Sequence, residues 1–244
     1  PVQLRENDGF GLDRQIIRWA WGPLWRGFIG QISTLGAQRS AGLFLAATGV
    51  PGLTAQFLLT RNVLQTMQNF ANAPLTSQYP RYARFLSQGR QNEIVFDGAR
   101  RVMIALVLLV LCCVSVGLVA PIILEKIGSN ILFLQPREWF VFSGLFIVLQ
   151  FLGNVAGIHN LTNRQVYYKR NSMAALVAVG CYVMGAREQN LWWFIIGSTV
   201  PYIVMLNVYP FRMLKEFGNY SWRNFSIRPL RSRTISEAAG DKSL

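Results

Sequence analysis

The sequence predicts an all-α integral membrane protein, a bundle of about six transmembrane helices with both termini in the cytoplasm. Only 14% of its 244 residues are charged and 52% are hydrophobic, whereas a soluble domain carries about 25% charged residues. The apolar residues form long runs: no charged residue occurs in 102–124 or in 139–158. Such runs predict helices that cross the hydrocarbon core, because a helix satisfies its own backbone amides in lipid.

Six segments fit this pattern. A turn is predicted between the first two, where Gly49 and Gly52 flank Val50 and Pro51. The fifth segment is the shortest, and Lys169 and Arg170 precede it. The predicted spans are 23–48, 53–74, 102–123, 138–159, 171–186 and 190–211.

The distribution of Lys and Arg predicts the orientation. Basic residues are frequent before or at the start of the first span, between the second and third, between the fourth and fifth, and after the sixth. The alternate connections carry only Lys126, Arg137 and Arg187. Because cytoplasmic segments carry the Lys/Arg excess, both ends are predicted to be cytoplasmic. An even number of spans is then required, which supports the weak fifth one.

The chain therefore divides into three predicted regions. Residues 1–22 are expected to be a cytoplasmic amphipathic lead-in, with tryptophans and isoleucines beside Arg14 and Arg18. Residues 23–211 form the six-helix transmembrane bundle, and 212–244 form a basic cytoplasmic tail. Because the chain begins with Pro1 rather than Met, we expect it to be part of a longer product.

The net charge of +13 reports membrane topology here, and no nucleic-acid partner is predicted. The residue patterns of enzymes are missing from the sequence as well: it has no paired carboxylates in a span, no HExxH, no Walker loop and no cluster of metal ligands. We therefore predict no catalytic residues, no metal and no cofactor.

Two arginines lie inside predicted spans. Arg39 precedes the first turn by about eleven residues and Arg61 follows it by about ten, which places both roughly 15 Å below the outer surface. A charged residue at mid-membrane costs about 2.5–3.5 kcal/mol on insertion scales, so it usually faces protein or water. No Asp or Glu occurs in the interior of any predicted span. The partner is therefore a carboxylate elsewhere or an anion that arrives as substrate.

Polar residues accompany each arginine at helical spacing, so each of the first two helices is expected to present a polar stripe to a cavity or to another helix. Arginine suits phosphate oxygens, and an anion site is the favoured interpretation; an ion pair or a carbonyl cap that joins helices is the alternative. The stripes consist of Gln31, Thr34, Gln38 and Arg39 in the first span, and of Arg61, Gln65, Gln68, Asn69 and Asn72 in the second.

The fourth span adds Gln150, Gly153, Asn154 and Gly157 along one face. Small residues let helices approach closely, and amides can bond across them. Helix packing is the favoured role for this face, and substrate contact, for which Asn154 is the candidate, is the other.

Several stretches of the chain carry a family resemblance. They are WGPLWRGFIGQISTLGAQRS, RNVLQTMQNFANAP with YPRYARFLSQGR, APIILEKIGSNILFL and HNLTNRQVYYKRN. Over residues 15–215 the chain resembles the C-terminal half of a polysaccharide biosynthesis protein of the O-antigen flippase type. That family belongs to the multidrug/oligosaccharidyl-lipid/polysaccharide exporter superfamily.

The resemblance implies two six-helix bundles around a central cavity, of which this chain would be the second and a missing N-terminal half the first. It implies alternating access in the bacterial inner membrane and transport of an undecaprenyl-diphosphate-linked oligosaccharide. Arg39 and Arg61 are the positions we match to the cationic residues that such a diphosphate needs.

Other functions remain open at this stage. One is a cation-coupled drug exporter or a peptidoglycan-precursor flippase of the same superfamily, although a drug exporter is expected to hold carboxylates within the membrane. The others are an integral membrane glycan polymerase or transferase, and an assembly subunit that does not transport.

Overall fold

The fold described here comes from a computed structural model, which describes residues 14–126, 134–160 and 168–210. These residues form six long helices and one short helix, with no strand among them. Most of the predicted lead-in and the predicted tail lie outside the described residues. The helices are α1 (Arg14–Ala47), α2 (Pro51–Thr76), α3 (Tyr79–Ser87), α4 (Gln91–Lys126), α5 (Pro136–Asn160), α6 (Tyr168–Glu188) and α7 (Leu191–Leu206).

Each predicted span coincides with one long helix, so the all-helical prediction is confirmed. Helix α1 begins at Arg14 and so includes the end of the predicted lead-in, and the segment predicted to be weakest is the continuous helix α6. Three stretches are long and apolar enough to cross a membrane: Glu93–Leu124, Pro136–Asn160 and Leu191–Pro210. The described part of the chain is thus helical, and three of its helices are long and apolar enough to cross a membrane; crossing by α1, α2 and α6 stays a prediction.

A tight turn separates α1 from α2, as predicted. Gly49 has a φ of +69°, a left-handed conformation that glycine adopts without the steric cost of a Cβ atom. The Gly49 amide donates to the Ala46 carbonyl at 3.2 Å, and the Thr48 hydroxyl donates to the Leu45 carbonyl at 2.6 Å. These bonds satisfy carbonyls that the end of α1 leaves open.

The chain folds into two compact units. The first comprises 1–54 and 163–205 and contains α1, α6 and most of α7. The second comprises 55–162 and 206–244 and contains most of α2 together with α3, α4 and α5.

In the first unit, α1 packs on α6 through small side chains. Ala37 and Ala41 of α1 are buried, as are Ala174 and Ala178 of α6. The hydroxyls of Ser33 and Ser172 lie 3.0 Å apart and form a hydrogen bond between the helices. Small residues bring helix backbones close together, and such contacts drive helix association where lipid removes the hydrophobic driving force.

Helices α6 and α7 meet at an aromatic pair and a glycine. The rings of Tyr182 and Phe194 stack with centroids 5.7 Å apart. A Cβ atom built on Gly197 would lie 2.7 Å from the Cβ of Cys181. Only a residue without a side chain fits there, so Gly197 sets how closely the two helices approach.

The second unit packs larger side chains. The indole of Trp139 on α5 is buried and donates to the Cys113 carbonyl of α4 at 3.1 Å. Phe57 of α2 stacks on Phe142 of α5 with centroids 5.8 Å apart. Buried aromatic rings therefore hold both α2 and α4 against α5, and such rings contribute large contact areas.

One side of α4 is apolar and exposed. The stripe spans more than four helical turns, whereas monomeric soluble proteins rarely expose large continuous apolar patches. Side chains of this kind suit hydrocarbon as their solvent, in agreement with the apolar stretch Glu93–Leu124. The stripe consists of Val107, Leu111, Val114, Leu118 and Ile122, which are between 44% and 61% exposed.

Candidate functional site

The polar residues that the sequence places on one face of α2 lie together in the structure. We call Gln65, Gln68, Asn69 and Asn72 the amide row. The Gln65 amide nitrogen donates to Gln68 Oε1 at 2.9 Å and to Asn69 Oδ1 at 3.2 Å. Gln65 and Asn69 are exposed, while Gln68 and Asn72 are partly buried. The row therefore has an open side and a side that faces protein.

Helix α5 supplies the partners on the protein side. Gln68 donates through Nε2 to Gln150 Oε1, Gln150 donates to Asn154 Oδ1 at 2.6 Å, and Asn154 donates to Asn72 Oδ1 at 3.2 Å. Gln150 and Asn154 are only 6% and 5% exposed. The amide row and these two residues form the amide network, in which each bond polarises the next.

The chemistry of the amide network follows from its composition. A buried amide that lacks a partner costs about 1–3 kcal/mol, so Gln150 and Asn154 are held in place by the bonds they exchange with α2. An amide has both donor and acceptor groups and no charge. The exposed members of the row, Gln65 and Asn69, can therefore bind hydroxyl groups without binding a cation or an anion by charge.

The arginines are distributed between the units. Arg61 is partly buried on α2, one turn before Gln65, and interacts with other residues. Arg39 lies on α1 in the first unit, and its side chain is exposed. The prediction that the two arginines lie at one depth in the membrane stays a prediction.

The other predicted site residues of the first span stay with Arg39. Gln31 is exposed and Gln38 partly buried, both on α1. The structure thus brings together five of the nine predicted site residues, namely the amide row and Asn154, as one bonded network. The role of all nine in binding substrate remains a prediction.

The polar face of α5 was interpreted as a packing face, with substrate contact as the alternative. Its amides do bond across to α2, and Gly157 allows a close approach, since a Cβ there would lie 2.8 Å from the Tyr79 hydroxyl. Gly153 is exposed and has open space around it. Gln150 is not among the predicted binding residues, yet it belongs to the amide network. Its position four residues before Asn154, on the same helix face, was the sequence feature that could have indicated this.

A second polar centre joins α2, α3 and α4, and the sequence did not reveal it. The Tyr82 hydroxyl donates to Asp97 Oδ2 at 2.7 Å. Arg101 donates through Nε to the same oxygen at 2.9 Å and through Nη1 to the Pro74 carbonyl at 3.1 Å. Pro74 lies in the last turn of α2, so the guanidinium satisfies a carbonyl at the negative end of that helix.

Burial raises the pKa of the Tyr82 hydroxyl, and the Asp97 carboxylate raises it further. The phenol therefore stays protonated and acts as a hydrogen-bond donor at neutral pH. Since Tyr82 is buried and its partner Asp97 is itself bonded to Arg101, this centre fastens α3 to its neighbours. The i, i+4 spacing of Asp97 and Arg101 was its only sign in the sequence.

Within the described ranges, no group of three or more His, Cys, Asp or Glu side chains is placed to hold a metal ion. Comparison of the chain with protein-family models, curated proteins and solved structures gave no match. Over the residues it describes, the structure defines the class as an all-helical protein in which three helices are long and apolar enough to cross a membrane.

Proposed function

We propose that this chain is one half of a membrane transporter that moves a polyprenyl-diphosphate-linked oligosaccharide across the bacterial inner membrane for surface polysaccharide synthesis. The observation that carries the proposal is the amide row, whose exposed members are backed by buried amides of α5. A glycan offers many hydroxyls, and neutral amides that donate and accept bonds suit them without regard to charge.

The orientation in this proposal follows from the second unit. The C-terminal ends of α2 and α5, the whole of α3 and the N-terminal part of α4 lie at the same end of the second unit, which we call its pole. The bond from Arg101 to the Pro74 carbonyl and the approach of Gly157 to Tyr79 indicate this arrangement. Five arginines are found in the segment 77–101 at this pole. By the positive-inside rule this pole faces the cytoplasm, and the amide row runs from it toward the membrane interior.

The arginines of the first two helices, Arg39 and Arg61, are proposed to bind the diphosphate. A diphosphate brings negative charge into the membrane, where a guanidinium is the residue best suited to bind its oxygens. In the proposal Arg39 and Arg61 attract this group, and the other half of the transporter completes the pathway. The bilayer and the lipid-linked oligosaccharide are the partners.

A complementation experiment tests the amide row. The complete gene is expressed in a strain that lacks its own flippase, and surface polysaccharide is measured at a controlled level of membrane protein. We expect Gln65→Leu with Asn69→Leu to lower the polysaccharide while the lipid-linked repeat unit accumulates inside. Thr66→Val is the matched control, because Thr66 is exposed on the same helix and its hydroxyl donates to the Asn62 carbonyl within that helix.

The arginines are tested in the same strain. Arg39→Ala and Arg61→Ala, singly and together, should lower the polysaccharide, whereas Arg26→Ala, an exposed arginine on α1, should not. Normal polysaccharide in the arginine and amide variants would contradict the proposed site. If the unmodified gene fails to restore polysaccharide, the transport of lipid-linked glycan is the wrong function, and a drug exporter or a polymerase becomes the better candidate.

A further inference from the structure

The end of the second unit at α3 carries arginines that the proposed transport site does not use. The segment 77–101 holds five arginines and two acids, Glu93 and Asp97, which gives a net charge of +3. Two of the arginines are neutralised within the protein. Arg90 makes a two-pronged ion pair with Glu93 at 2.6 and 2.7 Å, and Arg101 pairs with Asp97 at 2.9 Å.

Three arginines remain. Arg81, Arg84 and Arg100 are exposed and form no ion pair with any carboxylate of the described residues. We call these three residues the arginine surface. Arg81 and Arg84 are three residues apart on α3 and therefore share a face of that helix. Arg100 follows Asp97 by three residues and therefore shares its face of α4. That face is directed toward α3, because Asp97 accepts a hydrogen bond from Tyr82 of α3.

The arginine surface is held by the core beneath it. Tyr82 and Phe85 point inward from α3 into a cluster with Leu75, Ile94 and Ile158. The Arg81 guanidinium lies 5.0 Å from the centroid of the Phe85 ring, on which Arg90 also packs. Cation–π contacts and the buried face fix the direction of α3 and keep its arginines on the outside.

The same arginines lie next to the apolar surface of α4. Met103 and Ile104 are 51% and 41% exposed and follow Arg100 within one helical turn, a rise of about 5 Å. If the apolar side of α4 faces hydrocarbon, Arg100 lies at the level of the lipid headgroups, and so does α3, which packs beside it.

We infer that the arginine surface binds the phosphates of anionic phospholipids in the leaflet it faces. The charge is complementary, since the surface presents three positive groups that form no ion pair with a carboxylate of the described residues, and anionic lipids are the negative groups at this level. Such binding would anchor α3 to the membrane surface and fix the depth of the pole where α2 ends and α4 begins. This inference rests on the membrane location of the chain and not on the transport of any glycan.

Native mass spectrometry of the full chain tests the inference. The protein is reconstituted in nanodiscs with equal amounts of phosphatidylglycerol and phosphatidylcholine, and the retained lipids are counted after release. We expect the unmodified protein to retain phosphatidylglycerol preferentially. The triple variant R81Q/R84Q/R100Q should reduce that preference by up to about a hundredfold, since each of the three arginines near an anionic surface contributes roughly fivefold.

Two further variants separate lipid binding from folding. R26Q/R137Q/R187Q removes three other exposed arginines and should keep the preference. R81K/R84K/R100K retains the charge and should also keep it. The inference is overturned if the triple glutamine variant retains phosphatidylglycerol as the unmodified protein does, if the R26Q/R137Q/R187Q variant loses as much, or if the lysine variant loses the preference.

Discussion

The bond between Gln68 and Gln150 gives the sharpest test of the amide network. Gln150 accepts from Gln68 in a partly buried bond and donates to Asn154 in a buried one. Gln150→Leu keeps the side-chain size but leaves the Gln68 donor and the Asn154 acceptor without these partners. Hydrogen bonds between helices in a membrane protein contribute about 0.6 kcal/mol on average and about 1.7 kcal/mol at most. Losing two should lower the free energy of unfolding by about 1–3 kcal/mol.

A double-mutant cycle isolates the interaction between the helices. Gln68→Leu, Gln150→Leu and the double variant are unfolded in mixed micelles by increasing the mole fraction of dodecyl sulfate, with helix content followed by circular dichroism. The double variant should be less destabilised than the sum of the single variants by about 0.6–1.7 kcal/mol. Gln65→Leu is the control; because its bonds stay within α2 and it is exposed, it should cost less than about 0.5 kcal/mol.

A coupling energy of zero would refute this reasoning, because it would mean that the α2–α5 amide bond does not contribute to stability. A Gln65→Leu variant that is as unstable as Gln150→Leu would also refute it, because the stability lost with an amide would then not depend on the burial of that amide.

Two more changes probe the packing of each unit. Tyr82→Phe removes a hydrogen bond to a carboxylate and should lower the unfolding free energy by about 1.5–3 kcal/mol in the same assay; Tyr79→Phe is the control and should stay within about 0.5 kcal/mol. If both variants are equally stable, Tyr82 does not fasten α3. Gly197→Ala forces a Cβ against Cys181 of α6 and should cost about 1–3 kcal/mol, whereas Gly180→Ala enters open space and should not; equal thermal midpoints would show that α6 and α7 are not in close contact.

Periodicity and hydropathy predicted the helices well because both depend on local sequence. The turn at Gly49 was predictable, since a glycine there permits the positive φ that ends α1. Helix α6 was predicted mainly from charge balance, because its own apolar run is short. Helix α1 begins at Arg14, so the last residues of the predicted lead-in and the predicted first span belong to one continuous helix.

The candidate site was predictable only in part. The face of α2 that carries Gln65 and Gln68 follows from helical spacing, which the hydrogen bond between them confirms. The partner of that face did not follow, because the register of α5 against α2 is a tertiary property. For the same reason the contact between Tyr82 and Asp97, which are fifteen residues apart, could not be predicted.

The six-helix account depends on α2 crossing the membrane, since α2 is not among the three most apolar stretches, and labelling of introduced cysteines in intact cells tests that crossing most directly. In a background without Cys112, Cys113 and Cys181, single cysteines replace Ala47 at the end of α1 and Ser87 at the end of α3, both exposed. A thiol reagent that cannot enter cells should label position 47 and should label position 87 only after the cells are opened. Labelling of both positions from the same side would contradict the six-helix account, because α2 would then not cross the membrane.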